Sequence, residues 1–169
     1  MTGKRKIFVS YHRESDQAFW DEFSRVFSDV YEIVRDDSPQ RGSPSEGPEK
    51  AVLRIRRDLV NGTCCTVVLC GPETPSDARV DWEIKATLDE GHGLIGVNLP
   101  SSRPNPRGFI LVPERLHENI ASGYAMWFEW TRLIATPLAM GAYIEIARAK
   151  SGKPGLIKND APPRLPVSG

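Results

Sequence analysis

Glu83 is the carboxylate in this sequence best suited to chemistry. It follows Asp81-Trp82 and precedes Ile84. Val80, Ile84 and Leu88 recur at helical spacing and mark an inward stripe over residues 77–90. At about 100° per residue Glu83 flanks that stripe instead of pointing straight outward. A carboxylate in that position, beside an indole, is partly desolvated. It can hold a ribose by its hydroxyls and stabilise a positively charged sugar transition state, the task carboxylates perform in glycosyl transfer. The competing reading is an acidic residue in a helix's first turns, favoured there by the helix dipole.

Other polar residues fall in places where they could assist. Ser10-Tyr11-His12-Arg13 follows an apolar run that opens the chain. His12 suits phosphate binding or general acid catalysis, or is simply solvated. Tyr11 suits stacking on a ring, or packing over a sheet edge. Asp36 and Asp37 suit ribose hydroxyls or a metal, or only turn chemistry, because they open a Pro/Gly/Ser loop that runs to Pro48. Loops of that length in a compact domain are commonly functional. Neither G-x-S-x-G nor G-x-x-x-x-G-K-[ST] occurs. His12, His92 and His117 have no metal-ligand spacing with Cys64, Cys65 and Cys70, so no metal is expected.

The elements that must position these residues alternate between strand and helix. Strands are expected at 6–10, 30–34, 63–70 and 93–99, with a short one at 109–112 and another at 124–130. Helices are expected at 15–28, 49–60, 77–90 and 136–150. Phe19, Phe23, Val26 and Phe27 form the first helix's apolar stripe, and Val52, Ile55, Leu59 and Val60 the second's. Alternation of this kind predicts an α/β fold with helices on both faces of a parallel sheet. Right-handed crossovers favour a flavodoxin-like, five-stranded sheet of order 2-1-3-4-5. Such sheets bind ligands beyond the strands' carboxyl ends, at the switch point between the first and third strands. That rule brings Ser10, Tyr11, His12, Asp36 and the helix carrying Glu83 to one edge. Residues 1–150 form the expected domain and 151–169 a Pro/Gly-rich irregular tail.

The bulk properties exclude several alternatives. The chain has 169 residues, one domain's worth, with 22 basic and 22 acidic residues and a formal charge of zero. Zero net charge argues against broad nucleic-acid binding. No apolar run approaches the ~20 residues that span a bilayer, and the basic start, Lys4-Arg5-Lys6, is not followed by the ~7–15 apolar residues of a secretory signal. The cysteines read as reduced thiols of a cytoplasmic protein.

Several segments together resemble a known family. Residues 6–16, KIFVSYHRESD, resemble the opening box of TIR domains. Val80-Asp81-Trp82-Glu83-Ile84 is similar to the D-W-E element of the bacterial TIR-like family that includes the ThsB subunit of Thoeris anti-phage defence. The strand end Thr66 to Pro72, the run Leu94 to Pro100, and Pro113 to Ile120 followed by Gly123-Tyr124-Ala125 agree as well. The resemblance spans roughly residues 4–150 in the expected order. It implies a TIR fold and an enzyme that acts on NAD as substrate, without a further cofactor, and breaks the bond between nicotinamide and ribose. It implies a cyclic ADP-ribose isomer, or a related ADP-ribose signal, that diffuses to a separate effector protein. A phage-derived trigger and TIR–TIR self-association are further implied partners. Glu83 is then the catalytic carboxylate. Ser10, Tyr11 and His12 line the substrate, with Asp36 at the start of the loop after the second strand and Trp82 beside the catalytic residue. The rival expectation is a TIR interaction module in which Glu83 is a surface residue, and a third is a nucleotide sensor that does not turn its ligand over.

Overall fold

The computed structural model describes residues 3–37 and 47–166. Five strands form one parallel sheet of order β2-β1-β3-β4-β5: β1 Arg5–Tyr11, β2 Tyr31–Val34, β3 Cys65–Cys70, β4 Gly93–Asn98 and β5 Met126–Glu129. The helices are α1 Arg13–Phe27, α2 Pro48–Ile55, α3 Ala78–Glu90, α4 Glu114–Ala121, the single turn α5 Trp130–Leu133, and α6 Pro137–Lys150. The expected sheet order is the observed one. Of the long loop expected from Asp36 to Pro48, residues 38–46 lie outside the described residues.

Alternation along the central strands divides the core in two. Ile7, Val9, Tyr11, Cys65, Val67, Leu69, Ile95 and Val97 face one side, where Phe23 and Phe27 of α1 and Ile144 and Ala147 of α6 cover them. Phe8 faces the other side beneath α2, and Val68, Cys70 and Leu94 lie there beneath α3 and α4. Both faces are therefore dry, which is why these strands read as nearly continuous apolar runs.

Three elements differ from expectation. Residues 109–112 are irregular, not a strand. Asn105 Oδ1 accepts from the backbone N–H groups of Arg107 and Phe109, which turns this segment away from any ladder. Residues 114–121, for which no element was expected, form α4, which buries Leu116 against α3 and Asn119 against the C-terminal segment. The second helix changes winding after Ile55 and ends as a wide π turn over Arg56–Val60. Its Asn61 N–H bonds back to the Arg56 carbonyl. No helix among the described residues is long and apolar enough to cross a membrane.

The junction from α3 to β4 reads Gly91-His92-Gly93-Leu94-Ile95-Gly96, which has the spacing G-x-G-x-x-G. It runs from helix to strand, the reverse of the strand-to-helix turn that cradles a dinucleotide phosphate. Each glycine here has a packing reason instead. Gly91 closes α3 at φ 73°. A Cβ on Gly93 would stand 2.6 Å from the Ala147 carbonyl oxygen of α6, and one on Gly96 2.8 Å from the Trp127 ring. Gly93→Ala should therefore push α6 off the sheet and destabilise the fold by about 1–3 kcal/mol. Thermal unfolding checks this; an unchanged melting temperature would show that α6 yields freely.

Candidate functional site

The site begins with the end of β1. Ser10 is in register with Val68 of β3, near the carboxyl ends of both strands. Its side chain points to the α3 side of the sheet, where its hydroxyl donates to Glu83 Oε1 at 2.9 Å. Glu83 is 3% exposed, and its Oε2 has no hydrogen-bond partner among the described residues. Asp77 caps α3 by accepting from the Arg79 N–H at 2.9 Å. Thr87 donates to the Glu83 carbonyl and shares a 2.7 Å hydrogen bond with Thr66 of β3, which pins the helix to the sheet one turn below the carboxylate.

Burial holds the Glu83 carboxyl well above the usual carboxylate range. The negative charges of Asp36 and Asp77 push in the same direction, and the Ser10 hydrogen bond and Arg79 oppose them. Asp36 lies beyond the end of β2, buried, with Arg79 Nε 3.9 Å from its Oδ2 and Arg13 Nη1 donating to its backbone carbonyl at 3.1 Å. Thus Ser10, Asp36 and Glu83 are brought together from β1, the exit of β2 and α3, with Arg79 of α3 paired to Asp36.

A cleft of about 530 Å³ opens beside this group. His12, Ser15, Asp77, Arg79, Trp82 and Pro166 are among the residues lining it. His12 caps α1: its Nδ1 lies 3.3 Å from the Ser15 N–H it accepts from, and 2.8 Å from the Ser15 hydroxyl. With Nδ1 accepting, the neutral ring carries its proton on Nε2. Trp82 packs its ring with Phe8, Val52 and Ile55, and its Nε1–H donates to the Arg164 carbonyl at 2.7 Å.

Two expected site residues lie elsewhere. Tyr11 is one step along β1 from Ser10, and a one-residue step turns the side chain to the opposite face. It stacks on Trp20 at 5.6 Å, accepts from Arg35 Nη1 at 2.7 Å and donates to Gln17 at 2.9 Å. The expectation that Tyr11 joins Ser10 against the substrate is therefore corrected. Asp37 is exposed and paired with Arg35 at 2.7 Å, away from Glu83. The reading of Glu83 as a surface residue also fails, since the side chain is in the interior.

Sequence reasoning passed over Arg79 and Asp16. Arg79 carries no motif of its own; its position one turn before Glu83 was the available signal. Asp16 ends the opening box and is 1% exposed, packed beneath Gly71 at the end of β3. A Cβ on Gly71 would stand 2.4 Å from Asp16 Oδ2, so a side chain there would collide with the carboxylate. Burial raises the Asp16 carboxyl too, partly offset by His12. Among the described residues no group of three or more His, Cys, Asp or Glu could hold a metal ion. The arrangement offers one buried carboxylate oxygen, a hydroxyl that orients its partner oxygen, and a cleft alongside.

The raised Glu83 carboxyl has a stability consequence with a definite sign. Its contribution is fully present below the unfolded carboxylate range and is lost as pH rises through the higher folded value. Glutamine mimics the protonated form and keeps an acceptor for Ser10. Glu83→Gln should thus melt close to the parent in acid and progressively higher than it toward alkaline pH, by on the order of a few °C. A melting difference that does not change with pH would contradict this burial cost.

The sequence model of a family described as "Thoeris protein ThsB, TIR-like domain" matches residues 8–104, more than half of the chain. That span holds Ser10, His12, Asp36, Trp82 and Glu83 and stops before α4. No curated protein matches the chain. Among solved structures it is similar to the TIR domains of the activated Roq1 resistosome directly recognizing the pathogen effector XopQ. The two share 12% identity over 92% of this chain and 86% of that one, with a TM-score of 0.41. With its family match seated on the switch-point strands and helix, the chain belongs to the TIR-like domain family of the Thoeris anti-phage defence protein ThsB.

Proposed function

We propose that this chain cleaves NAD at the bond between nicotinamide and ribose, with Glu83 as the catalytic carboxylate. The observation that carries the reading is the buried Glu83, held by Ser10 through one oxygen and with the other unpaired. A structural acidic residue in a first helical turn faces solvent and the helix N-terminus; this one is held in the interior at the strand ends despite the cost of burying it.

In the proposed reaction the ribose C1′–N bond breaks and its electron pair returns to the ring nitrogen. The cationic pyridinium becomes neutral nicotinamide, and positive charge moves onto the sugar. An anionic Glu83 Oε2 stabilises that oxocarbenium-like state, and more strongly in a dry site than in water. Ser10 orients Oε1. His12, Arg79 and the α3 N-terminus, all bordering the cleft, suit the substrate's phosphates. A nucleophile within the ADP-ribose then captures the sugar carbon and gives a cyclic isomer that signals to a separate effector. Capture by water gives linear ADP-ribose instead. With Glu83 only 3% exposed, the reacting ribose reaches Oε2 when the groups over it move aside, so access is a gated step.

Purified protein and its Glu83→Gln variant should be incubated with NAD, alone and with lysate of phage-infected cells, and followed by mass spectrometry. The expected outcome is nicotinamide release that falls at least about a hundredfold in the variant, with a product one water lighter than ADP-ribose. The parent's rate should rise with pH through a limb above the ordinary carboxylate range, since the anion is the working form and its pKa is raised. Folded variant and parent with equal release under both conditions would overturn the assignment of Glu83.

A further inference from the structure

The C-terminal segment runs back across α3 and α4, and its last described residue, Pro166, lines the cleft. Three of its last described residues are Pro162, Pro163 and Pro166, which have no N–H to give a helix or a ladder. Its carbonyls still need donors. Arg115 of α4, 4% exposed, supplies two of them. Its Nη1 donates to Asn159 Oδ1 at 3.0 Å and to the Ala161 carbonyl at 2.9 Å, and its Nη2 to the Pro162 carbonyl at 3.0 Å. The same guanidinium holds both oxygens of Asp81, at 2.9 and 3.3 Å.

The grip continues toward the site. Asp81 Oδ2 also accepts from the Arg164 N–H at 2.8 Å, and Trp82 Nε1–H donates to the Arg164 carbonyl at 2.7 Å. The Arg164 side chain donates to the Pro75 carbonyl at 2.6 Å, just before α3 begins. At the far end Asn119 exchanges two hydrogen bonds with Lys158, at 2.8 and 2.9 Å. Pro166 then forms part of the cleft wall beside Trp82 and Arg79. Arg115 and the whole segment lie outside residues 8–104, the span matched by the family.

We infer that residues 158–166 are a strap that completes the substrate cleft, and that Arg115 is a positioning residue which, directly through Asp81 and by way of the strap through Trp82, sets the helix turn bearing Glu83. The inference rests on the reading that this cleft takes NAD. Arg115 itself does not border the cleft, so an effect of its substitution on ligand travels through the groups it grips, Asp81 of α3 and the strap. A lysine at that position keeps a cation for Asp81 but cannot hold the carboxylate and three further acceptors at once.

The test compares the parent with Arg115→Lys in the full chain, and with Trp82→Phe, which keeps an aromatic ring in the core and removes only the donor to Arg164. NAD binding is measured by equilibrium dialysis, nicotinamide release by mass spectrometry, and exchange of the Trp82 indole N–H by NMR. Arg115→Lys should speed indole exchange at least about tenfold and raise Kd and KM for NAD about fivefold or more, with kcat within about twofold. Trp82→Phe should raise KM likewise; because Trp82 lines the cleft, Arg164→Ala, which frees the strap from the Pro75 carbonyl at an exposed side chain outside the cleft lining, decides the matter by the same rise in KM if Arg115→Lys does not fold. A parent that binds NAD without cleaving it, weakened in the same way by Arg115→Lys, would remove the catalytic reading and keep the strap. Unchanged indole exchange, or unchanged NAD affinity in a protein whose indole has been freed, would overturn the strap. A parent that does not bind NAD would overturn both.

Discussion

The hydrogen bond from Ser10 to Glu83 is the contact around which the site is organised. Keeping a carboxylate out of water is costly, and this one has two like charges for neighbours. It is tolerated because β1 delivers a hydroxyl to one oxygen and because the charge of Arg79, the ion partner of Asp36, offsets part of the repulsion. Both depend on a feature of the sheet. β1 is central, with β2 on one side and β3 on the other, so the chain's direction of winding reverses beside it. The end of β1, the start of α3 and the exit of β2 can meet only at such a reversal.

The rest of the α3 face serves to hold that geometry. Thr66 and Thr87 fix the helix against β3, and Asp77 fixes its first turn. Trp82 closes the gap between α3 and α2 with its ring while its N–H reaches the C-terminal segment. The D-W-E triplet is thus three different roles in consecutive residues: an anchor for Arg115, a packing side chain with one polar edge, and a buried acid. A stability cost at Glu83 that grows with pH is the expected companion of a site built to act as a base or a counter-charge.

Much of the fold was legible because its signals are local. Buried parallel strands such as Lys6–Ser10 and Thr66–Cys70 are continuous apolar runs, and the amphipathic stripe of α3 is explicit in Val80, Ile84 and Leu88. The sheet order followed from strand–helix alternation and crossover handedness. The helix α4 was missed because Arg115 and Asn119, which it buries, are polar; their value appears only when partners from residues 158–162 surround them. The misplacement of Tyr11 has a simpler cause. Alternation along β1 puts Ser10 and Tyr11 on opposite faces, but a central strand buried on both faces hides that alternation in composition.

The sequence by itself determined the central strands and the helices between them, the sheet order and the presence of an acid at the switch point, because these rest on local spacing and on the order of the elements along the chain. Tertiary structure alone decided how deeply Glu83 is buried, which hydroxyl meets it, that Arg79 and Asp36 share its surroundings, and where the Pro-rich C-terminal segment lies. Those properties depend on groups separated by tens of residues along the chain, and burial is the sum of everything packed around a side chain. No local pattern encodes that sum, so the acid could be read from its neighbours in sequence while its chemistry had to wait for its neighbours in space.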